Sequence, residues 1–234
     1  MAAPLPRHPV KGARVRPRAV LAAGLTGAML MAAPASAFIQ PHHADPRLAR
    51  TALALAPPGA GPLAPGAPVQ EEIAAPAPSW SSRGYEITAR ARFEIEAVVL
   101  GRKAYTRGAL GALVPLDLAL AWGPASDPEW IRHLRVTQSA RLYEWAFPPG
   151  TPLTVEAVVR SSANMHMIPG TDAAWDVLGE VRRGDLVQIE GYLVDIAGPG
   201  EFSWPTSLVR DDTGRGSCEI VLIDHIEIRP APDS

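Results

Sequence analysis

The stretch from Val181 to Ile228 constrains this chain most, because it reads as three strands in succession with only turns between them. GDLVQIEGYLVDI is a long first strand, EFSWPTSLVR a second, DDTGRG a polar turn and SCEIVLIDHIEI a third. Gly191, inside an otherwise regular strand, predicts a bulge or a sharp bend. The same period-two chemistry recurs upstream. In YEITARARFEIEAVVL, Tyr85, Ile87, Ala89 and Ala91 alternate with polar neighbours. After Arg92 a phase shift is expected, with Phe93, Ile95, Ala97 and Val99 apolar opposite Glu94 and Glu96. Such alternation is the mark of a strand with one buried face. PLDLALAWG repeats it, with Leu116, Leu118, Leu120 and Trp122 on one side.

Helical signals are short. Ser126-Asp127-Pro128-Glu129 combines capping side chains, a first-turn proline and an acid at the positive end of the dipole, so a helix is expected from Pro128 to about Leu134. RVTQSARLYEWAF reads as strand, with Leu142 and Trp145 buried, and TVEAVVRS as either helix or strand. Thr171-Asp172 caps AAWDVLGEV, and Arg182, Arg183 and Gly184 end it. Six or seven strands and two or three short helices suit an α+β domain, expected over residues 83–230, built as a small antiparallel OB-like β-barrel.

The N-terminal third has other chemistry. Arg7, Lys11, Arg14, Arg16 and Arg18 precede an apolar run from Ala19 to Ala33 that closes on Pro34-Ala35-Ser36-Ala37. A basic region, an apolar region and an Ala-x-Ala site predict a secretory signal peptide over residues 1–37, and hence a periplasmic or secreted protein. The alternative is a retained anchor, although a run of about 15 residues falls short of the roughly 20 needed to span a bilayer. Residues 38–82 are rich in Ala and Pro, which predicts a disordered linker, opening on the solvated pair His42 and His43.

Removing the leader takes five of the 22 basic residues and leaves 17 against 24 acidic ones, a net charge of about −7. Polyanions are bound by basic patches. An acidic domain without a Lys/Arg cluster therefore argues against nucleic acid, and against a membrane partner other than through an uncleaved leader. Small molecules, glycans or envelope proteins remain as partners. Cys218, the single cysteine, cannot form an internal disulfide. Alternation in SCEIVLID gives it one face with Ile220 and Leu222, and burial as a small hydrophobe is expected.

Three polar segments hold possible chemistry. Met165, His166 and Met167 offer two thioethers and an imidazole, a set suited to Cu(I). On a strand the two Met face away from His166, and as structural residues they would fill a core gap. No cofactor is expected, and copper is the one ion these motifs suggest. In Arg210-Asp211-Asp212-Thr213-Gly214, adjacent carboxylates resemble part of a calcium loop but lack its ligand spread, so a β-turn is expected. A nucleophile–base set could be drawn from Cys218 or Ser161 with His166, Asn164 and Asp212, but no spacing brings them together. Trp122, Trp130, Trp145, Trp175 and Trp204 are numerous enough for a stacking surface, although aromatics are more often core.

The runs PLDLALAWGPASD, SARLYEW, SANMHMIP, GDLVQIEGYLVDI and SLVRDDTGRGSCE resemble those of a family of exported bacterial proteins without an assigned activity. The similarity spans roughly residues 85–228. It implies that these polar segments belong to one domain type, and it implies no reaction, cofactor or catalytic residue. The reading expected from the whole is an exported, non-enzymatic binding module. Its candidate surface is Trp122, Ser126, Asp127, Ser162, Asn164, His166, Arg210 and Asp212. A hydrolase or transferase using Cys218 with His166 is the alternative, and a copper protein using Met165, His166 and Met167 is a third reading.

Overall fold

The computed structural model describes residues 3–4, 51–57, 59–209 and 217–229. The expected leader apart from Ala3 and Pro4, His42 and His43, and the Arg210–Gly216 turn with Arg210 and Asp212 lie outside the described residues. The fold is a mixed α+β arrangement dominated by sheet. In chain order the strands are β1 (Ala3–Pro4), β2 (Val69–Glu72), β3 (Ser79–Ser82), β4 (Tyr85–Ala104), β5 (Leu116–Ala121), β6 (Arg135–Ser139), β7 (Leu142–Ala146), β8 (Ser162–Pro169), β9 (Leu186–Ala197), β10 (Ser203–Trp204) and β11 (Ile220–Arg229). The helices are α1 (Ala52–Leu55), α2 (Gly108–Leu113), α3 (Pro128–Ile131), α4 (Val155–Ser161) and α5 (Asp172–Glu180), with a 3-10 turn over Gly123–Ser126.

Alternation decides which strands form. The 20-residue β4 pairs antiparallel with β9 along its first part and with β5 along its last. β5 pairs antiparallel with β8, β8 runs parallel to β11, and β11 pairs antiparallel with β9. Each of these five strands thus has two neighbours within the same set. Their inward residues share one core: Phe93 and Ile95, Leu118 and Leu120, Met165 and Met167, Ile189 and Leu193, Val221 and Ile223. A second apolar cluster lies on the other side of β8, β9 and β11, where Ile168, Val194, Ile196, Ile220 and Leu222 meet Leu113 and Val114 beside α2. Burial on both faces explains why Ile220 to Ile223 is a continuous apolar run.

Two expectations change here. The buried residues of β4 stay odd-numbered from Ile87 to Ala97, but the expected change of face comes at Arg90 and not after Arg92, with Ile87 in the second cluster and Ala91, Phe93 and Ile95 in the main core. The irregularity is an extra residue, Arg90, in the pairing with β9. The bulge expected at Gly191 lies in its partner, where Asp224 is skipped between the pairs Ile223–Gly191 and His225–Glu190. Gly191 is required by closeness, since a Cβ there would fall 2.0 Å from the Leu222 carbonyl oxygen.

Where residues 38–82 were expected as linker, the described part from Thr51 packs on the domain. Ala52, Leu63 and Ala64 are buried in the main core. Backbone bonds run from Leu53 to Gly184 and from Gly123 to Ala64, and β2 and β3 both pair with β4. Composition misleads because Ala and Leu at a few positions suffice to cover a strand end. RVTQSARLYEWAF is a hairpin, β6–β7, in place of one strand. TVEAVVRS resolves as helix α4, capped by the Thr154 hydroxyl, which accepts from the Ala157 N–H at 3.1 Å.

Candidate functional site

The site grows from one cross-strand pair. Asp117 on β5 stands directly opposite His166 on β8. Because side chains alternate, Leu118 and Met165 turn to the main core while Asp117, Asn164 and His166 occupy the other face. That face is also covered: Asp117, Asn164 and His166 are all buried. The Asp117 and His166 side chains are 1% and 2% exposed, so any charge there must find its partner inside the protein.

The cover is the β6–β7 hairpin. Ser139 pairs with Leu142, which leaves a two-residue turn of Ala140 (φ 48°) and Arg141 (φ 66°). Two consecutive positive φ values match the twist of a tight hairpin, and Asn or Gly normally supplies them. In Ala and Arg the conformation costs on the order of 1 kcal/mol each. The hairpin comes close to β4 at Gly101, where a Cβ would lie 2.7 Å from the Gln138 Oε1. Gln138 donates from Nε2 to the Asn164 Oδ1 at 2.8 Å, and the Asn164 Nδ2 donates to the Arg141 carbonyl at 3.3 Å. These bonds fix the hairpin tip over β8.

The Arg141 side chain then enters the face. Its Nη1 lies 2.6 Å from the Asp117 Oδ1, and its Nη2 donates to the Val114 carbonyl at 2.8 Å. The guanidinium carbon sits 3.7 Å from the centre of the Tyr105 ring and 5.8 Å from that of Trp204. Cations over aromatic faces are attracted by the ring quadrupole, more so when desolvated. The Tyr105 hydroxyl accepts the Arg141 backbone N–H at 2.9 Å.

His166 Nδ1 reaches the same Asp117 oxygen at 2.9 Å, and its ring centre is 4.6 Å from that of Trp204. A carboxylate has no proton to give, so Nδ1 carries the hydrogen and Asp117 accepts. One buried oxygen therefore serves two donors. The other, Oδ2, is buried with no hydrogen-bond partner among the described residues. Burial raises the Tyr105 phenol above its ordinary value, an effect the Arg141 N–H bond partly offsets. Burial raises Tyr143 as well.

Only some of the sequence candidates meet here. Asn164 and His166 belong to the cluster, and Cys218 borders it, with its thiol 3.8 Å from the Arg141 carbonyl. Trp122 is core, the Ser126 hydroxyl binds Gly123 and Ala64, and Asp127 caps α3 by accepting the Glu129 N–H at 2.8 Å. Ser162 bonds back to Val158. Trp122, Ser126 and Asp127 lie away from this cluster, whereas Ser162 shares the β8 face of Asn164 and His166 and is bonded by the hairpin's Tyr143 at 3.1 Å. Met165 and Met167 lie in the main core on the side of β8 away from His166, so the three do not converge on one ion. Among the described residues no group of three or more His, Cys, Asp or Glu is placed to hold a metal.

Asp117, Arg141, Tyr105 and Gln138 were missed as site residues. Asp117 carried a signal: an acid within PLDLALAWG, in a run otherwise apolar on both alternating sets. No family model, no curated protein and no solved structure matches this chain.

Proposed function

We propose that the five mutually paired strands form a small OB-like barrel acting as an exported, non-enzymatic binding module. Its seat is the outer face of β5 and β8. The barrel reading rests on the cyclic pairing β4–β5–β8–β11–β9–β4, on β8–β11 being the one parallel pair in that ring, and on α5 lying between β8 and β9. Barrels of that kind take ligands on the face of their second and third strands, between flanking loops. Here β5 and β8 hold those places. The β6–β7 hairpin flanks them on one side and Trp204 of β10 on the other. Export rests on the leader, and the partner is a small molecule, glycan or envelope protein.

The observation that carries the reading is Asp117, buried and accepting from both Arg141 and His166. A buried ionic cluster is often no more stabilising than apolar residues of the same volume. Stability alone therefore gives no reason for it, whereas recognition of a polar ligand does. The test is a thermal-shift screen of the protein against amino acids, oligosaccharides, polyamines and short peptides, repeated on Asp117→Asn. At least one class should raise Tm in the parent and fail to do so in the variant. Hits that persist unchanged in Asp117→Asn, or His166-dependent turnover of ester or amide substrates, would overturn it.

A further inference from the structure

The hairpin that covers the site also fills it, and the filling is incomplete. Arg141 meets Asp117 through one nitrogen and one oxygen. Its second nitrogen is diverted to the Val114 carbonyl, and Asp117 Oδ2 has no hydrogen-bond partner among the described residues. A guanidinium and a carboxylate prefer two parallel bonds, fork to fork. Arg141 enters from the hairpin tip, between Ala140 and Leu142, and spreads its two nitrogens over Asp117 and the Val114 carbonyl. The walls are otherwise those of a guanidinium pocket, with the Tyr105 face at 3.7 Å, Trp204 beyond it and a buried carboxylate at the end.

We infer that this pocket is a receptor for a guanidinium group, and that the arginine side chain of a bound peptide segment takes the place of Arg141. The inference rests on the outer face of β5 and β8 being the binding seat. The hairpin is a two-stranded sheet of its own, so it can lift without breaking a pairing of the main sheet. The incoming arginine, free of the turn, reaches both oxygens of Asp117, including the Oδ2 that Arg141 leaves without a hydrogen bond among the described residues. Arg141 is therefore an internal competitor, and the apparent affinity for a ligand is lowered by the fraction of molecules in which it occupies the pocket.

That competition has a signature that a purely structural arginine lacks. Removing Arg141 should strengthen binding of an external guanidinium. We would titrate the full chain and Arg141→Ala with N-acetyl-arginine amide, using N-acetyl-lysine amide as control, since an ammonium lacks the planar fork. The expected result is a Kd for the arginine probe lower by about tenfold or more in Arg141→Ala, with binding lost when Asp117→Asn is added. Arg141→Gln, which retains a stem and amide donors, serves if the alanine variant does not fold. In the parent protein the Arg141 Nη–H resonances, bonded to Asp117 and Val114, should lose their protection from exchange as the probe is added, and this measurement decides the matter if neither variant folds. Equal or weaker binding in the variants, or a protected Arg141 resonance at saturating probe, overturns the inference. An Asp117-dependent ligand without a guanidinium would overturn it while leaving the binding reading intact. No Asp117-dependent ligand of any class removes both.

Discussion

β5 and β8 carry two different chemistries back to back. Inward, Leu118, Leu120, Met165 and Met167 join apolar residues from three other strands. Outward, Asp117, Asn164 and His166 each depend on a named partner from the hairpin or the opposing strand. Both sides are sealed from water, so exposure does not distinguish them. Direction does. Apolar contact is non-directional and tolerates exchange among shapes of similar volume. Buried charge tolerates no vacancy, because removal of one member leaves its partner desolvated and unmatched. The inner face is thus a reservoir of stability, and the outer face is a constraint that stability does not demand.

Breaking the outer face should have the larger effect. Asp117→Ala leaves the Arg141 guanidinium and His166 facing each other without an anion, and a loss of about 3–5 kcal/mol is expected in urea unfolding. Combined with Arg141→Ala, the loss should be smaller than the two single effects added, with a coupling of about 1–3 kcal/mol. Additive losses would mean that the pair is no more linked than two surface charges. On the inner face, Leu120→Ala should cost about 2–5 kcal/mol through the cavity it leaves, while Met165→Leu should cost under about 1.5 kcal/mol. Coupling of Leu120→Ala to Arg141→Ala should stay within about 0.5 kcal/mol, as for independent sites.

A smaller effect separates the faces by pH. Tyr143, whose hydroxyl bonds to Ser162, is raised above its ordinary value by burial. The phenol is therefore held neutral longer in the folded chain than in the unfolded one. As pH rises past the ordinary tyrosine value, the unfolded state releases this proton first and stability falls. The loss continues until pH passes the raised folded value. Tyr143→Phe should flatten the alkaline limb of a stability–pH curve, with any residual slope attributable to Tyr105, which burial shifts in the same direction. An unchanged slope would show that Tyr143 ionises alike in both states.

Much of the inner face was legible. The odd-numbered apolar set of FEIEA and the even-numbered set of PLDLALAW gave the strands and their buried sides, because alternation is a local property. The outer face was not, because its cover comes from far along the chain. Asp117 occupies a position that alternation assigns to solvent. Only the hairpin 24 residues on makes it buried, and Ala140-Arg141 gives no turn signal of the Gly, Asn or Pro kind. Residues 51–64 failed for the opposite reason: their Ala and Pro content suggests disorder, yet the few apolar side chains are the ones the core receives. His166 stood out as a motif residue, but its hydrogen-bonding partner on β5 could not be read without the register that sets Asp117 opposite it.

Cys218 offers the smallest perturbation and the most direct view of the boundary between closed and open outer face. Its thiol is buried and lies 3.8 Å from the Arg141 carbonyl, a weak contact, so Cys218→Ala should cost about 1 kcal/mol or less. Its reactivity says more. A buried thiol is labelled only through opening, and the rate then reports the population of the open form. In the resting protein, labelling at neutral pH should be slower than in urea by on the order of a hundredfold or more. The contact with the Arg141 carbonyl places that opening at the hairpin tip. If the hairpin lifts when an arginine probe binds, the probe should accelerate labelling of Cys218, although most ligands protect buried thiols. Protection in place of acceleration would mean that the ligand binds with the hairpin closed. Rapid labelling without any ligand would mark a reactive thiol, and would return Cys218 to consideration as a nucleophile.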